Sequence, residues 1–225
     1  MILGAGLDSF AYRSELAGRI RVFEADYPAT QQWKRRLLSA AQIPVPDAVS
    51  LVPVDFETES LADRLVPSGF DPSEPALVSR LGVTMYLTRT AIEQTLAAVA
   101  SFAPGTELIT DYMLPAHLRD TAGNTYAELV RPAAAERGEP WLTFLTPAAM
   151  SALLAGHGLE NAEHVRQRDT VDSALWDRSD SLRPIELSVL ARATVGATLS
   201  AAASSTTGVR SGVEAEAEPV QGAQP

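Results

Sequence analysis

The chain contains no cysteine and little histidine, and these two absences remove several kinds of site. Without cysteine there can be no disulfide, no thiolate metal ligand and no cysteine nucleophile. The histidines, His117, His157 and His164, are spaced too far apart to form a helical metal-binding pair. The sequence therefore predicts neither a metal centre nor thiol chemistry.

Long apolar runs and an excess of positive charge are missing too. No run of about 18 apolar residues occurs, and the first residues lack the basic start and apolar run of a signal peptide. Asp and Glu number 28 against 18 Lys and Arg, a net charge of -10, so a nucleic-acid backbone or an anionic membrane would be repelled. These features favour a cytoplasmic enzyme acting on a small molecule, with neither nucleic acid nor membrane as partner.

The composition divides the chain into a domain and a tail. The 225 residues are 46% apolar, which suits one domain with a sizeable core, and we place that domain at residues 1–194. Residues 195–225 are rich in Ala, Ser, Thr, Gly and Glu and contain no aromatic residue. Such a segment buries too little apolar surface to offset its ordering entropy, so we predict a disordered tail.

The stretch ILGAGLDSFAYR, Ile2 to Arg13, has the form of a short strand, a sharp turn and a helix. The turn contains Gly4 and Gly6, and a glycine lets an adenosyl group approach the main chain because it has no Cβ. We expect the helix to run from Ser9 to Ala17. Gly-x-Gly also occurs in ordinary tight turns, so this motif is a weak signal without support from the next strands.

Acidic residues end the next two predicted strands. Glu24 lies twenty positions after Gly4, the spacing at which such folds hold the ribose hydroxyls, and Asp26 ends the same strand. Asp55 and Phe56 end the third strand, where a carboxylate can accept from the adenine amine beside an aromatic ring. The predicted cofactor-binding residues are therefore Gly4, Gly6, Glu24, Asp26, Asp55 and Phe56.

The glycine pattern separates two cofactors. A dinucleotide loop requires G-x-G-x-x-G, and Ser9 stands where the third glycine would lie under the pyrophosphate. S-adenosylmethionine has no phosphate, so the loop fits it better. A nicotinamide-dependent enzyme remains the disfavoured alternative.

Five motifs in order, spanning residues 1 to about 193, resemble the leucine carboxyl methyltransferase-like family, and most closely its actinobacterial branch of S-adenosylmethionine-dependent methyltransferases. They are GAGLDSFAYR (Gly4–Arg13), FEADYP (Phe23–Pro28) followed by Lys34, VDF (Val54–Phe56), LGVTMYL (Leu81–Leu87) and TDY (Thr110–Tyr112). The resemblance implies a Rossmann-like class I methyltransferase fold, an α/β sheet that is mostly parallel with its last strand antiparallel and helices on both faces. It also implies that Gly4 and Asp26 contact the cofactor, with Asp55 and Phe56 at its adenine.

Two departures from the family bear on activity. Leu81 stands where the leucine carboxyl methyltransferases have a cofactor-binding glutamate, and the family's amino-terminal helical segment, with its cofactor-binding arginine, is not seen in this sequence. We therefore expect an amino-terminally shortened form, in which a misassigned start is one explanation. A non-catalytic remnant of such an enzyme remains an alternative function.

The acceptor side is less specified. A sulfonium carries its own leaving group, so the protein mainly aligns the acceptor and excludes water, and few catalytic residues are expected. If the acceptor is a small-molecule hydroxyl or carboxyl group, as the family suggests, the candidates to position it are Tyr86, Asp111 and His117. We expect residues 113–141 to be irregular and to shape its pocket, and we expect Trp33 and Leu37 to lie in the core.

Overall fold

The computed structural model describes residues 1–177 and 183–196. Most of the predicted disordered tail, from residue 197 onward, lies outside the described residues. Among the described residues, no helix combines the length and the apolar character needed to cross a bilayer.

The described chain is built on one sheet of seven strands in the order β3-β2-β1-β4-β5-β7-β6. Strand β7 is antiparallel to both β5 and β6, and the other neighbouring pairs are parallel. The prediction of a mostly parallel sheet with an antiparallel last strand is thus confirmed. The strands are β1 (Ile2–Leu3), β2 (Val22–Asp26), β3 (Val49–Pro53), β4 (Leu77–Arg80), β5 (Glu107–Met113), β6 (Leu159–Arg166) and β7 (Ser188–Val195).

Helices cover the sheet, and most of them start at a residue whose side chain caps them. Ser60, Thr88, Asp120 and Thr146 each accept from a main-chain N–H of the first turn. Pro147 comes after Thr146 at the first helical position, as the sequence predicts. The helices are α1 (Phe10–Arg13), α2 (Pro28–Ala40), α3 (Leu61–Leu65), α4 (Arg89–Ala100), α5 (Thr121–Glu136) and α6 (Pro147–Gly156).

The main core lies on one face of the sheet. Leu3, Ala25, Val52 and Val78 of strands β1 to β4 are fully buried there. They share one apolar cluster with side chains of α3, α4 and α6, among them Leu61, Ile92, Leu96, Met150 and Leu154. Because side chains alternate along a strand, Glu24 of β2 lies on the opposite face, where it meets α2.

Two expectations for the first two helices are wrong. The helix predicted over Ser9 to Ala17 ends at Arg13, and a separate 3-10 turn lies at Glu15–Gly18. Trp33 and Leu37 are 46% and 43% exposed, whereas Gln31 and Lys34 form the buried side of α2. The reason is the polar Glu24 beneath this helix, which Gln31 and Lys34 both contact.

The segment 113–141 is not irregular as expected, because most of it forms α5. Asp120 caps this helix by accepting from the Gly123 N–H at 2.6 Å. Gly123 is needed for packing, since a Cβ there would lie 2.5 Å from the main-chain oxygen of Glu186. Gly123 is therefore a point of close contact between α5 and the segment before β7.

Candidate functional site

The candidate site lies at the carboxyl ends of the parallel strands. Strand β1 lies between β2 and β4. The chain continues from β1 to β2 in one direction across the sheet and from β4 to β5 in the other. Ligands of open α/β sheets bind in the crevice at this switch point. The fold brings the loop of Gly4 and Gly6, the β2 end at Asp26 and the segment after β3 to this edge.

Gly6 and Asp26 join the first loop to the end of β2. The Gly6 N–H donates to Asp26 Oδ2, and the Tyr27 N–H donates to Oδ1 at 2.6 Å. Asp26 is 9% exposed, and this burial raises the pKa of its carboxyl group although both N–H contacts and nearby Lys34 favour the charged form. The carboxylate is thus fixed beside the glycine turn.

Gly4 packs against the segment that follows β4. Its φ is +70°, and a Cβ at this position would overlap the Cγ2 atom of Val83. Val83 precedes the 3-10 turn Thr84–Tyr86, so the β1 and β4 loops lie in direct contact. Gly6 has a φ of +45°, and a Cβ there would meet only the main-chain oxygen of Gly4, at 4.0 Å, among the described residues.

Glu24 lies beneath the glycine loop in a buried polar cluster. Lys34 Nζ donates to Glu24 Oε2 at 2.6 Å and to the main-chain oxygen of Asp8 at 2.7 Å, and Tyr12 Oη lies 3.3 Å from the same carboxylate oxygen. Glu24 is 1% exposed and Oε1 has no partner among the described residues, so burial raises the pKa of this carboxyl group. Lys34 thereby ties the loop at Asp8 to the middle of β2.

Asp55 and Phe56 lie just after β3 at the same edge. The Glu57 N–H donates to Asp55 Oδ1 at 2.9 Å, and Glu59 Oε2 accepts from the Asp55 N–H at 2.8 Å. Phe56 is 9% exposed and belongs to the main core cluster. Asp55 therefore stays half-buried at the edge while its neighbour anchors the segment.

A buried arginine that sequence reasoning missed lies at the end of β4. Arg80 is fully buried, and its Nε donates to Thr110 Oγ1 at 3.2 Å. Its Nη1 and Nη2 atoms have no partner among the described residues, and burial lowers the pKa of the guanidinium to about 10. A charged residue within an otherwise apolar strand, ALVSR, was the available sign.

The acceptor candidates occupy different surroundings. Asp111 Oδ1 accepts from the Gly82 N–H at 2.9 Å, and burial raises the pKa of that carboxyl group. Tyr86 is half-buried against the small cluster of Met85, Met113 and Trp141, whereas His117 is exposed. The described residues contain no group of three or more His, Cys, Asp or Glu side chains that could hold a metal ion.

The part of the chain that carries most of this geometry matches a known family. Residues 1–100, which contain the glycine loop, Asp26, Asp55 and the β4 segment, match the model of the leucine carboxyl methyltransferase family. The resemblance predicted from the five motifs is confirmed.

A relative of the chain extends this match. The Bacillus subtilis (strain 168) protein YktD, whose name assigns it provisionally to the S-adenosyl-L-methionine-dependent methyltransferases, is 34% identical over 188 residues. The match covers 83% of this chain, and the chain spans 62% of the length of YktD.

Solved structures share the fold at low sequence identity. The CurJ carbon methyltransferase has a TM-score of 0.56 at 14% identity, over 87% of this chain and 48% of that one. The S-adenosylmethionine-dependent methyltransferase SibL has a TM-score of 0.56 at 13% identity, over 87% and 50%. The predicted class I methyltransferase fold is thereby confirmed.

Proposed function

We propose that the protein is an S-adenosyl-L-methionine-dependent methyltransferase that methylates a hydroxyl or carboxyl oxygen of a small molecule. The observation that carries the proposal is the contact of the Gly6 N–H with the Asp26 carboxylate at the switch point of the sheet. The family match of residues 1–100 and the name of YktD support the same reaction class.

The residues at the β2 end fit the ribose of this cofactor. Each oxygen of Asp26 accepts one main-chain N–H, and a carboxylate oxygen has room for a second donor. Asp26 can therefore accept from the ribose hydroxyls without losing its present contacts. Glu24 pairs with Lys34 inside the fold, so we assign the ribose to Asp26 and the support of the loop to Glu24.

The segment after β3 fits the adenine. The hydrogen bond described for the Asp55 carboxylate uses Oδ1, which leaves Oδ2 for an exocyclic amine. Phe56 holds the position of this segment through the core. Gly4 and Gly6 complete the proposed cofactor contacts at the β1 loop.

Methyl transfer from this cofactor requires little acid–base catalysis by the protein. The bound cofactor supplies a methyl group on a sulfonium, which carries its own leaving group. The chain's own task is to align the acceptor oxygen and exclude water. Tyr86 and Asp111 at the β4 and β5 ends are the proposed positioning residues, and His117 is the proposed base should the acceptor be a hydroxyl group.

The test is calorimetric titration of the purified chain with S-adenosylmethionine and, separately, with NADH. We expect binding of the first and none of the second. Asp55→Ala should weaken S-adenosylmethionine binding about tenfold or more, because a charge-assisted hydrogen bond is lost. Asp47→Ala is the matched control, since Asp47 is exposed and precedes β3 at the other edge of the sheet.

Each alternative function has its own outcome in this titration. Binding of NADH in place of S-adenosylmethionine would indicate the nicotinamide-dependent enzyme. A folded chain that binds neither ligand would contradict the proposal and favour the non-catalytic remnant.

A further inference from the structure

Two arginines stack on one aromatic ring in the segment between β5 and α6. The guanidinium carbon of Arg119 lies 5.0 Å from the ring centroid of Phe144, and that of Arg131 lies 5.1 Å from the same centroid. Arg119 precedes α5 and Arg131 lies within it, so the ring brings two cations together from different turns of the chain.

The two positive charges lack a carboxylate partner in the part of the chain that the structure describes. None of the ion pairs within 4 Å among residues 1–177 and 183–196 involves Arg119 or Arg131. Burial and the charge of Arg131 both lower the pKa of Arg119. A protein with a net charge of -10 thus places two like charges on one aromatic ring.

A cavity lined in part by Arg131 lies beside Trp141, which carries a buried polar donor. Its volume is about 340 Å³, and Arg131, Pro132, Pro140 and Trp141 are among the residues that line it. Trp141 is 8% exposed, and its indole Nε1 has no hydrogen-bond partner among the described residues. An unpaired buried N–H is costly, so a ligand acceptor atom that reached it on binding would be stabilising.

The pair and the cavity are attached to the candidate site. The N–H groups of Leu142 and Thr143 donate to the main-chain oxygen of Met85 at 2.7 and 3.2 Å. Thr143 Oγ1 donates to the Leu87 oxygen at 2.6 Å. The segment that carries Trp141 and Phe144 is therefore bonded directly to the segment after β4, where the acceptor is expected.

We propose that Arg119 and Arg131 bind an anionic group, a carboxylate or a phosphate, on a methyl acceptor whose flat apolar body lies against Trp141 and Phe144. Calling this ligand the acceptor rests on the proposed function. An anion between the guanidinium groups relieves their repulsion and receives charge-assisted hydrogen bonds. Glu128 also borders the cavity, but its carboxylate is not within 4 Å of either arginine.

The proposal is tested by titrating the whole chain with benzoate, phenyl phosphate and neutral benzamide. Benzoate or phenyl phosphate should bind at least tenfold more tightly than benzamide, and the tighter of the two identifies the anionic group. Arg131→Met and Arg119→Met should each weaken that anion at least fivefold. Arg137→Met, which changes the residue that ends α5, is the matched control and should stay within twofold of wild type.

Three results would overturn the inference. These are equal binding of benzoate and benzamide, unchanged anion binding by Arg131→Met, and no binding of either anion at about 10 mM. The same variants are titrated with S-adenosylmethionine, which Arg131→Met should not affect. Cofactor binding without anion binding removes this inference alone, and anion binding without cofactor binding removes the proposed function alone.

Discussion

A Cβ atom at position 4 would overlap the Cγ2 atom of Val83, which precedes the turn after β4. Gly4 thus lies where the β1 and β4 loops meet. Its φ of +70° adds a second reason for glycine, because an L side chain is strained there.

Gly4→Ala should destabilise the fold by about 2–4 kcal/mol, from the left-handed strain and the overlap with Val83. In the double variant Gly4→Ala/Val83→Ala the overlap is removed and the strain remains. Gly4→Ala should therefore lower the free energy of unfolding less in the Val83→Ala protein than in wild type. Urea unfolding of the four proteins measures this coupling. Purely additive effects of the two changes would contradict the described contact.

The Glu24–Lys34 pair should be far more important for stability than an exposed pair of similar length. Lys34→Met leaves a buried carboxylate without its cation, a change that costs about 3–5 kcal/mol. The control is Arg89→Met, which breaks the exposed pair with Glu93, at 2.7 Å against 2.6 Å for Glu24–Lys34 and worth about 0.3–0.5 kcal/mol. Equal unfolding free energies for the two variants would show that Glu24 is not held as described.

His164 should make the fold sensitive to mild acid. Its ring nitrogens lie 3.0 Å from Tyr112 Oη and 2.7 Å from Ser151 Oγ, and burial lowers the pKa of the ring. A lowered pKa means that the stability contributed by neutral His164 is complete above the unfolded value of about 6.5 and is lost as the pH falls through the lower folded value.

His164→Gln should therefore reduce the loss of unfolding free energy between pH 7 and pH 5, measured by urea titration at both values. His117→Gln, at an exposed histidine, should stay within about 0.5 kcal/mol of wild type at both. An unchanged pH dependence in His164→Gln would contradict this assignment.

Arg80→Met should leave the protein at least as stable as wild type. The change removes a buried cation whose Nη1 and Nη2 atoms are unpartnered among the described residues, and apolar replacements of buried charges are often neutral or stabilising. Thermal unfolding measures the effect. A loss of more than about 2 kcal/mol would mean that Arg80 has partners in solution that the described contacts do not include.

The sheet could be predicted from the sequence because its signals are local. The sequence predicts a strand over Leu159–Arg166 and helix starts at Ser60 and Thr146, and the structure has β6 with those bounds and both residues as helix caps. The buried face of α2 was mispredicted because Trp33 and Leu37 form the apolar stripe while the tertiary partner of this helix is the polar Glu24. The spacing of apolar residues predicts that a helix forms, but the face that it buries depends also on the element against which it packs.

The acceptor side could not be predicted for a related reason. Arg119, Arg131 and Phe144 are far apart in sequence, and neither arginine belongs to a motif. Helix α5 brings them together, and it lies in the segment 113–141 that we expect from the sequence to be irregular. The cofactor residues named from the sequence, by contrast, lie at the ends of strands, and the fold class already dictates the order of these strands. Their role in binding the cofactor remains a prediction.

The most direct test of the central claim is the dissociation constant of S-adenosylmethionine for wild type and Asp26→Asn, measured by calorimetry. Asparagine keeps the size of the side chain and can still accept from the Gly6 N–H, but it removes the charge proposed to hold the ribose hydroxyls. We predict binding by wild type and a loss of about tenfold or more in Asp26→Asn, with Asp47→Asn unchanged. Equal affinity of the wild type and Asp26→Asn, or no binding by the folded wild type, would contradict the account.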